Sequence, residues 1–294
     1  MKTNIKIILL LLFISIKINA QVRSIIYSNL LNPFIYNPAL AGSNEQLSAI
    51  FNTRGIAGGI EGSSRSYNFG IHAPVNNNTM GIGAKVLSGS VGVFQTINAE
   101  AVYSKFVKVD EKSTLKLGLS MGITQTHLKN ELLNTQTDLS DPALSSKNLN
   151  RMLFSSGIGL HYNYNKSAEL GLSFPALMTG DKPLNNMMIV NASWSFNNAE
   201  KTLKIKPILN FYKLNYSANI ADVLLQLSWK DYVSATGGYR SNGSAIAAMG
   251  LNFKSFALNY AYYYQMSGMM ALAPAQNEIA VAFYFVKSNP AKTN

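Results

Sequence analysis

Apolar and polar side chains alternate along most of the chain. Between Lys112 and Thr124 the apolar side chains occupy every second position, at Leu115, Leu117, Leu119, Met121 and Ile123. A period of two is typical of a β-strand with one apolar and one polar face. The same alternation returns at residues 80–86, 256–264 and 279–285. The pattern therefore predicts an all-β chain built from amphipathic strands.

Turn-forming residues divide this pattern into about fourteen strands. The strands are predicted at 46–57, 64–74, 79–88, 93–107, 113–127, 152–164, 168–175, 186–197, 202–213, 219–229, 232–240, 244–253, 255–265 and 277–286. Every second connection is short and polar, at 76–78, 110–111, 165–166, 198–200, 230–231 and 254, whereas most of the others are longer. Outer-membrane barrels pair short periplasmic turns with longer outside loops. We therefore predict a transmembrane antiparallel β-barrel of about 14 strands.

The N-terminus has the layout of a secretory signal. Lys2 and Lys6 precede an apolar run, and a cleavage site after Ala20 is expected. Residues 21–44 lie before the strands and contain two Asn-Pro turns with several apolar side chains. We expect this segment to fold into the lumen or over its periplasmic mouth, with a flexible tail as the alternative. The predicted division is signal 1–20, periplasmic or plug segment 21–44, barrel 45–286 and tail 287–294.

Aromatic side chains cluster near the predicted strand ends. Amphipathic rings favour the headgroup level of a membrane, so these residues are expected to form two girdles. They include Trp194 with Phe196, Phe211 with Tyr212, Trp229 with Tyr232, Tyr262 to Tyr264, and Phe283 to Phe285. The alternative is the core of a soluble β-sandwich, against which the export signal argues.

Composition narrows the function. Charged residues make up 13% of the chain, against about 25% in ordinary soluble proteins. The formal charge of +11 becomes +8 (22 basic minus 14 acidic) once Lys2, Lys6 and Lys17 leave with the signal. The remaining basic residues are scattered without the clustering typical of nucleic-acid surfaces. With no cysteine, disulfides and thiolate sites are excluded. We therefore expect contact with outer-membrane lipid and no nucleic acid.

No motif supports catalysis or cofactor binding. The segment 118–122 matches G-x-S-x-G, but it lies in the middle of a strand, where Ser120 is expected to line the lumen. His72, His127 and His161 share no ligand spacing, and Asp138 with Asp141 lack the calcium-loop pattern. We therefore expect no enzyme, no catalytic residue, no metal site, no cofactor and no small-molecule substrate.

Several landmarks together resemble the PorP/SprF family of outer-membrane proteins of the Bacteroidetes type IX secretion system. They are Asn37-Pro38-Ala39 with Gly42, Arg54, Ala73-Pro74, the segment 80–83, the strand 115–123, Asp141-Pro142, the segments 157–160 and 170–175, and Asn277-Glu278-Ile279. Relatives often carry an aromatic residue where this chain has Leu40, and Gln-Trp where it has Gly55-Ile56.

The resemblance implies a non-enzymatic component that helps to export or anchor a secreted surface protein, such as a gliding adhesin. Its partners would be the C-terminal domain of that cargo and other secretion components, with the outside loops 128–151 and 266–276 as candidate cargo contacts. A polar lumen containing Glu100, Lys116, Asn252 and Asn259 is equally expected of a passive pore or small-molecule transporter. That remains the alternative function.

Overall fold

The chain forms a closed antiparallel β-barrel. The computed structural model describes residues 30–56, 62–129, 150–179, 182–183, 187–214, 219–266 and 275–285. In order, the strand segments are β1 (Leu47–Ile56), β2 (Arg65–Val75), β3 (Met80–Val91), β4 (Phe94–Lys108), β5 (Ser113–Leu128), β6 (Met152–Tyr164), β7 (Ala168–Thr179), β8 (Lys182–Pro183), β9 (Met187–Trp194), β10 (Phe196–Asn197), β11 (Leu203–Leu214), β12 (Ile220–Trp229), β13 (Val233–Arg240), β14 (Ser244–Asn252), β15 (Phe256–Gln265) and β16 (Ala275–Phe285).

Fourteen strands make up the barrel wall. The short β10 continues the line of β9 along β11. Among the described residues, the two-residue β8 pairs with the tip of β7 alone. The wall closes because β1 pairs with both β2 and β16, while β9 bridges β7 and β11. Closure satisfies the backbone groups that an open edge would leave unpaired in lipid. The predicted all-β barrel of about fourteen strands is confirmed.

The two faces of each strand differ as the alternation predicts. On β5, Leu117, Leu119 and Met121 are 39–51% exposed on the outer surface, whereas Ser120 is 1% exposed inside. Large apolar side chains thus face outward, which is the reverse of a soluble protein and suits a surface embedded in acyl chains. In the part of the chain that the structure describes, no helix is long and apolar enough to cross a membrane.

Connections at the two ends of the barrel differ in length. The short-turn end carries the connections 76–79, 109–112, 165–167, 198–202, 230–232 and 253–255. Consecutive residues have positive φ at three of these turns, namely Asn76 to Asn78, Asn165 with Lys166, and Lys230 with Asp231. Positive φ at both central residues is typical of the tight hairpin turns favoured by strand twist. The long-loop end carries the remaining connections, of which 92–93 and 241–243 are also short. Outer-membrane barrels place the short-turn end in the periplasm.

Three details differ from the sequence-based expectations. The strand predicted at 168–175 extends to Thr179, and the one predicted at 186–197 is interrupted at Ser195. Three tyrosines expected in the aromatic girdles point into the barrel instead. Tyr212 and Tyr263 are 1% and 4% exposed, and Tyr284 packs against a buried cluster of the wall. All three have the inward parity of their strands, so their orientation follows from alternation rather than from their position near strand ends. Trp194, Trp229 and other girdle residues are exposed outward: Phe196, Phe211, Tyr232, Tyr264, Phe283 and Phe285.

The segment before β1 folds inside the barrel. It forms two 3-10 helices, Pro33–Ile35 and Pro38–Leu40. Each begins with a proline that follows an asparagine, and the side chain of Asn37 accepts a hydrogen bond from the Ala39 backbone N–H. We call residues 30–46 the plug. The predicted signal peptide, residues 21–29 and the tail from 287 lie outside the described residues.

Candidate functional site in the barrel lumen

Apolar side chains of the plug fill the lumen toward the long-loop end. Ile35 and Tyr36 pack against Ile189, Tyr212 and Ile220, which point inward from β9, β11 and β12. Leu30 and Leu31 pack against a second inward cluster, formed by Leu224, Ile246, Ala261 and Tyr263. Complete burial of one such side chain stabilises the seated plug by about 1.5–3 kcal/mol. The wall is therefore apolar where it meets the apolar part of the plug.

Glycines of the wall make room for the plug backbone. A Cβ added at Gly118 would lie 2.5 Å from Ala39 Cα, and one at Gly159 would lie 2.9 Å from Pro38 Cδ. At Gly81 the added atom would be 2.5 Å from the Ala41 carbonyl carbon. Ordinary van der Waals contact begins near 3.4 Å. We call Gly81, Gly118 and Gly159 the glycine seat, because any larger residue there would push the second 3-10 helix away from the wall.

Gly70 serves the first 3-10 helix in a similar way. A Cβ at this position would lie 2.9 Å from the ring of Phe34, which is 2% exposed. The same ring lies 4.5 Å from the His72 ring, centroid to centroid, and packs with Val102. Packing of the Phe34 ring thus depends on the absence of a side chain at Gly70 on β2.

Polar groups of the wall bind the backbone of the plug. Lys85 Nζ donates to the Ile35 carbonyl at 2.8 Å, and Ser104 Oγ donates to the Ala41 carbonyl at 2.7 Å. The Gly42 N–H donates to His72 Nδ1 at 3.0 Å. Lys116 Nζ lies 2.8 Å from the hydroxyl oxygen of Ser43. The first three of these contacts satisfy backbone groups that would be costly to bury unpaired.

Charged wall residues pair mainly with each other. Lys85 on β3 and Glu100 on β4 are directly opposite in the ladder, 3.1 Å apart, with side chains 2% exposed. Glu100 also accepts from Ser155 Oγ at 2.6 Å and from Asn98 Nδ2 at 3.1 Å. The ion pair therefore has the additional hydrogen bonds that a buried charge requires.

A second buried pair joins β12 and β13. Arg240 donates to both carboxylate oxygens of Asp222, from Nε at 2.6 Å and from Nη2 at 2.8 Å. Tyr212 donates its hydroxyl to Asp222 at 3.2 Å, and the guanidinium lies 5.7 Å from the Tyr212 ring centroid. This two-bond geometry is the strongest arrangement available to an arginine and a carboxylate.

A third polar cluster connects the plug to the β1–β16 seam. Asn32 donates to Asn52 at 3.2 Å, and Asn52 donates to Glu278 at 3.1 Å. Glu278 is fully buried and also accepts from the Tyr263 hydroxyl at 3.1 Å. Arg54, opposite Glu278 in the ladder, lies 4.4 Å from the centre of the Tyr263 ring. The strands that close the barrel are thus tied to the start of the plug.

A polar cavity of about 260 Å³ lies at the short-turn end, along the wall from β7 to β14. Charged residues of its lining include Lys204 and Lys206 on β11, Glu169 on β7, and Asp231 in the β12–β13 turn. Lys206 pairs with Glu169 at 2.8 Å and Lys204 with Asp231 at 2.5 Å. We call this cavity the vestibule, and none of its lining residues belongs to the plug.

The sequence-predicted candidates occupy scattered positions. Ser120 lines the lumen on β5, as expected, and its hydroxyl faces the Gly157 carbonyl at 3.5 Å. His72 and His161 are buried inside, whereas His127 bonds Gln95 near the long-loop end of the wall. Among the described residues, no group of three potential metal ligands comes together. Asp138, Asp141 and most of the two candidate cargo loops lie outside the described residues.

Sequence reasoning missed the buried ion pairs. A usable signal exists, because Lys85 and Glu100 lie at matching distances on either side of the 92–93 turn. Asp222 and Arg240 are related in the same way across the 230–232 turn. Each pair can therefore be identified as an acidic and a basic residue that both point inward and lie equally far from the turn of one hairpin.

Comparisons with known proteins agree on the fold. The outer membrane protein Omp33 of Acinetobacter baumannii gives a TM-score of 0.50 at 6% identity, over 82% of this chain and 99% of that one. The toluene transporter TodX of Pseudomonas putida gives 0.50 at 10% identity, over 86% and 92%. At such identities the likeness shows an outer-membrane barrel fold alone. Curated protein sequences give no match.

The family comparison covers nearly the whole chain. Residues 19–283 match the family described as type IX secretion system membrane protein PorP/SprF. Several landmarks of that resemblance, including Asn37, Gly42, Gly81 and Gly118, are residues of the plug and of its seat. The protein is an outer-membrane β-barrel, and it belongs to the PorP/SprF family of type IX secretion system membrane proteins.

Proposed function

We propose that this protein is a non-enzymatic component of the type IX secretion system that helps to export or anchor a secreted surface protein. Family membership supports the link to secretion. The single observation that carries the scaffold role is the plug, which places Phe34, Ile35 and Tyr36 inside the barrel at 0–6% exposure. A barrel whose lumen is occupied by its own chain is suited to present its ends to other proteins.

The alternative, a passive pore or small-molecule transporter, has weaker support. The barrel neighbours include a transporter, but their identities of 6–10% carry the fold and nothing more. A passive pore needs a continuous water-filled path, and the plug meets apolar wall clusters on β9, β11, β12, β14 and β15. The scaffold role is therefore the better supported of the two.

The expected partners are the C-terminal domain of a cargo protein and other secretion components. Cargo would meet the long-loop end, which faces outward when the short turns are periplasmic. Involvement of a gliding adhesin is one form of this role. Cleavage of a signal peptide before residue 21 is part of the same proposal.

A deletion strain tests the role. Surface proteins of the wild type, the deletion strain and the complemented strain would be labelled and identified by mass spectrometry. We expect one or a few secreted proteins to leave the surface in the deletion strain and to return on complementation. An unchanged surface proteome would contradict the proposal.

A further inference from the structure

The vestibule presents more ammonium groups than carboxylates. Among the described residues, its lining contains three lysines against Glu169 and Asp231, a formal charge of +1 (three minus two). Lys204 and Lys206 each use one contact for an ion pair. Because an ammonium carries three N–H donors, both retain donors for a ligand. Lys166, in the exposed β6–β7 turn, makes no ion pair with any described residue.

Neutral polar side chains extend this donor surface across the wall. Ser228 and Ser234 face each other in the β12–β13 ladder and are each 8% exposed. Both line the vestibule, with hydroxyls that can donate and accept hydrogen bonds. Gln226 and Asn252 add side-chain amides to the same lining. Groups of this kind can bind a polar ligand or water.

The lining is too long for a single small ion. It runs from the β6–β7 turn to Asn252 on β14, across the consecutive wall strands β7, β9–β10, β11, β12 and β13. Five strand spacings of about 4.8 Å give an arc of about 24 Å. The cavity volume of about 260 Å³ is much smaller than a peptide of that length, so only a short part of an extended segment lies inside the vestibule and the rest lies outside its opening. Lys166 and Asp231 belong to short turns, so the vestibule opens toward that end of the barrel.

We propose that the vestibule docks an acidic peptide segment that enters from the periplasmic side. Carboxylates of the segment pair with Lys166 and Lys204, while its backbone and polar side chains meet the serine and amide groups beside them on β12, β13 and β14. The inference deepens the proposed function and rests on it for placing the partner in the secretion machinery. The chemistry of the ligand comes from the vestibule alone.

Direct binding to the purified full-length barrel in zwitterionic nanodiscs tests this site. The probe is a fluorescein-labelled peptide of six glutamates, followed by fluorescence anisotropy, with a six-glutamine peptide as the neutral comparison. We expect saturable binding of the glutamate peptide and none of the glutamine peptide. Inorganic phosphate at the same total charge is expected to compete poorly.

Two double variants with equal charge change separate the vestibule from general electrostatics. Lys166→Asn with Lys204→Gln removes two vestibule lysines, whereas Lys201→Asn with Lys254→Gln removes two exposed lysines of other short turns. Asparagine suits the positive φ of Lys166 and of Lys201. The first variant is expected to weaken binding about tenfold, since each exposed ion pair contributes little alone. The second is expected to stay within about twofold of wild type.

Three results would overturn the docking site. They are absence of saturable binding, equal loss in both double variants, and displacement of the peptide by phosphate at equal charge. The heat-dependent gel mobility of each variant verifies that the barrel is folded. The two tests are independent of each other. Absence of peptide binding would contradict the docking site but not the export role, and an unchanged surface proteome would contradict the export role but not the docking site.

Discussion

Replacing Gly118 by alanine should loosen the plug while leaving the barrel closed. The new Cβ would lie 2.5 Å from Ala39 Cα, so the plug must move by at least 0.9 Å (3.4 minus 2.5). A shift of that size strains the contacts that seat the second 3-10 helix. Three hydrogen bonds are affected, Asn37 to the Leu160 carbonyl at 3.2 Å, Ser104 to the Ala41 carbonyl at 2.7 Å and Gly42 to His72 at 3.0 Å.

The magnitude follows from those bonds. Each of the three bonds contributes about 1 kcal/mol, so a shift that breaks two of them reduces the free energy of plug opening by about 2 kcal/mol. Amide exchange through local opening should then be about thirtyfold faster in residues 30–43, because 1.4 kcal/mol corresponds to a factor of ten. Hydrogen–deuterium exchange with mass spectrometry measures this directly. Peptides from β12 to β15 should exchange at the wild-type rate.

Gly89→Ala is the matched control. Gly89 lies on β3 with the same inward parity as Gly81, and a Cβ added there meets nothing within 4 Å. Its plug peptide should exchange as in the wild type. Equal exchange rates of residues 30–43 in Gly118→Ala and Gly89→Ala would contradict the role of Gly118 in seating the plug. Faster exchange throughout the wall would show that the substitution destabilises the barrel instead.

Three further substitutions test other parts of the structure. Lys85→Met should reduce the free energy of unfolding by about 3–5 kcal/mol, because Glu100 would stay buried without its cation, and adding Glu100→Gln should recover most of this in urea unfolding followed by gel mobility. Phe34→Ala should cost about 3 kcal/mol of plug stability, seen as faster exchange confined to residues 30–43. Leu119→Arg, on the lipid face at the middle of β5, should cost about 2–4 kcal/mol and lower the yield of membrane-inserted barrel, whereas Leu119→Val should insert normally.

The barrel wall was predictable because its physics is local. Alternation over 115–123 determines which side chains face lipid, and turn residues such as Asn165 and Lys166 mark where strands end. Predicted strand limits at 152–164 match β6, and most others agree within a few residues. The interruption at Ser195 was not visible, because the alternation continues through it in sequence.

The contents of the lumen depend on contacts between distant residues. Two Asn-Pro turns indicated a structured segment but not that Pro38 and Ala39 pack against glycines of β5 and β6. Inward placement of Ser120 and Glu100 followed from parity, whereas the partner of Glu100 required the register of β3 and β4. Tyr212 and Tyr263 lie near strand ends, but their inward parity decides their orientation and buries them in the lumen.

Single-channel recording in planar bilayers tests the plugged barrel most directly. The wild-type protein should be electrically silent, and a variant lacking residues 30–43 should conduct steadily, because removal of the plug opens the lumen. The wall should stay folded in this variant, since Lys85 pairs with Glu100 and Arg240 with Asp222 without any charged group of the plug. Large steady conductance from the wild-type barrel would contradict the account and favour a passive pore.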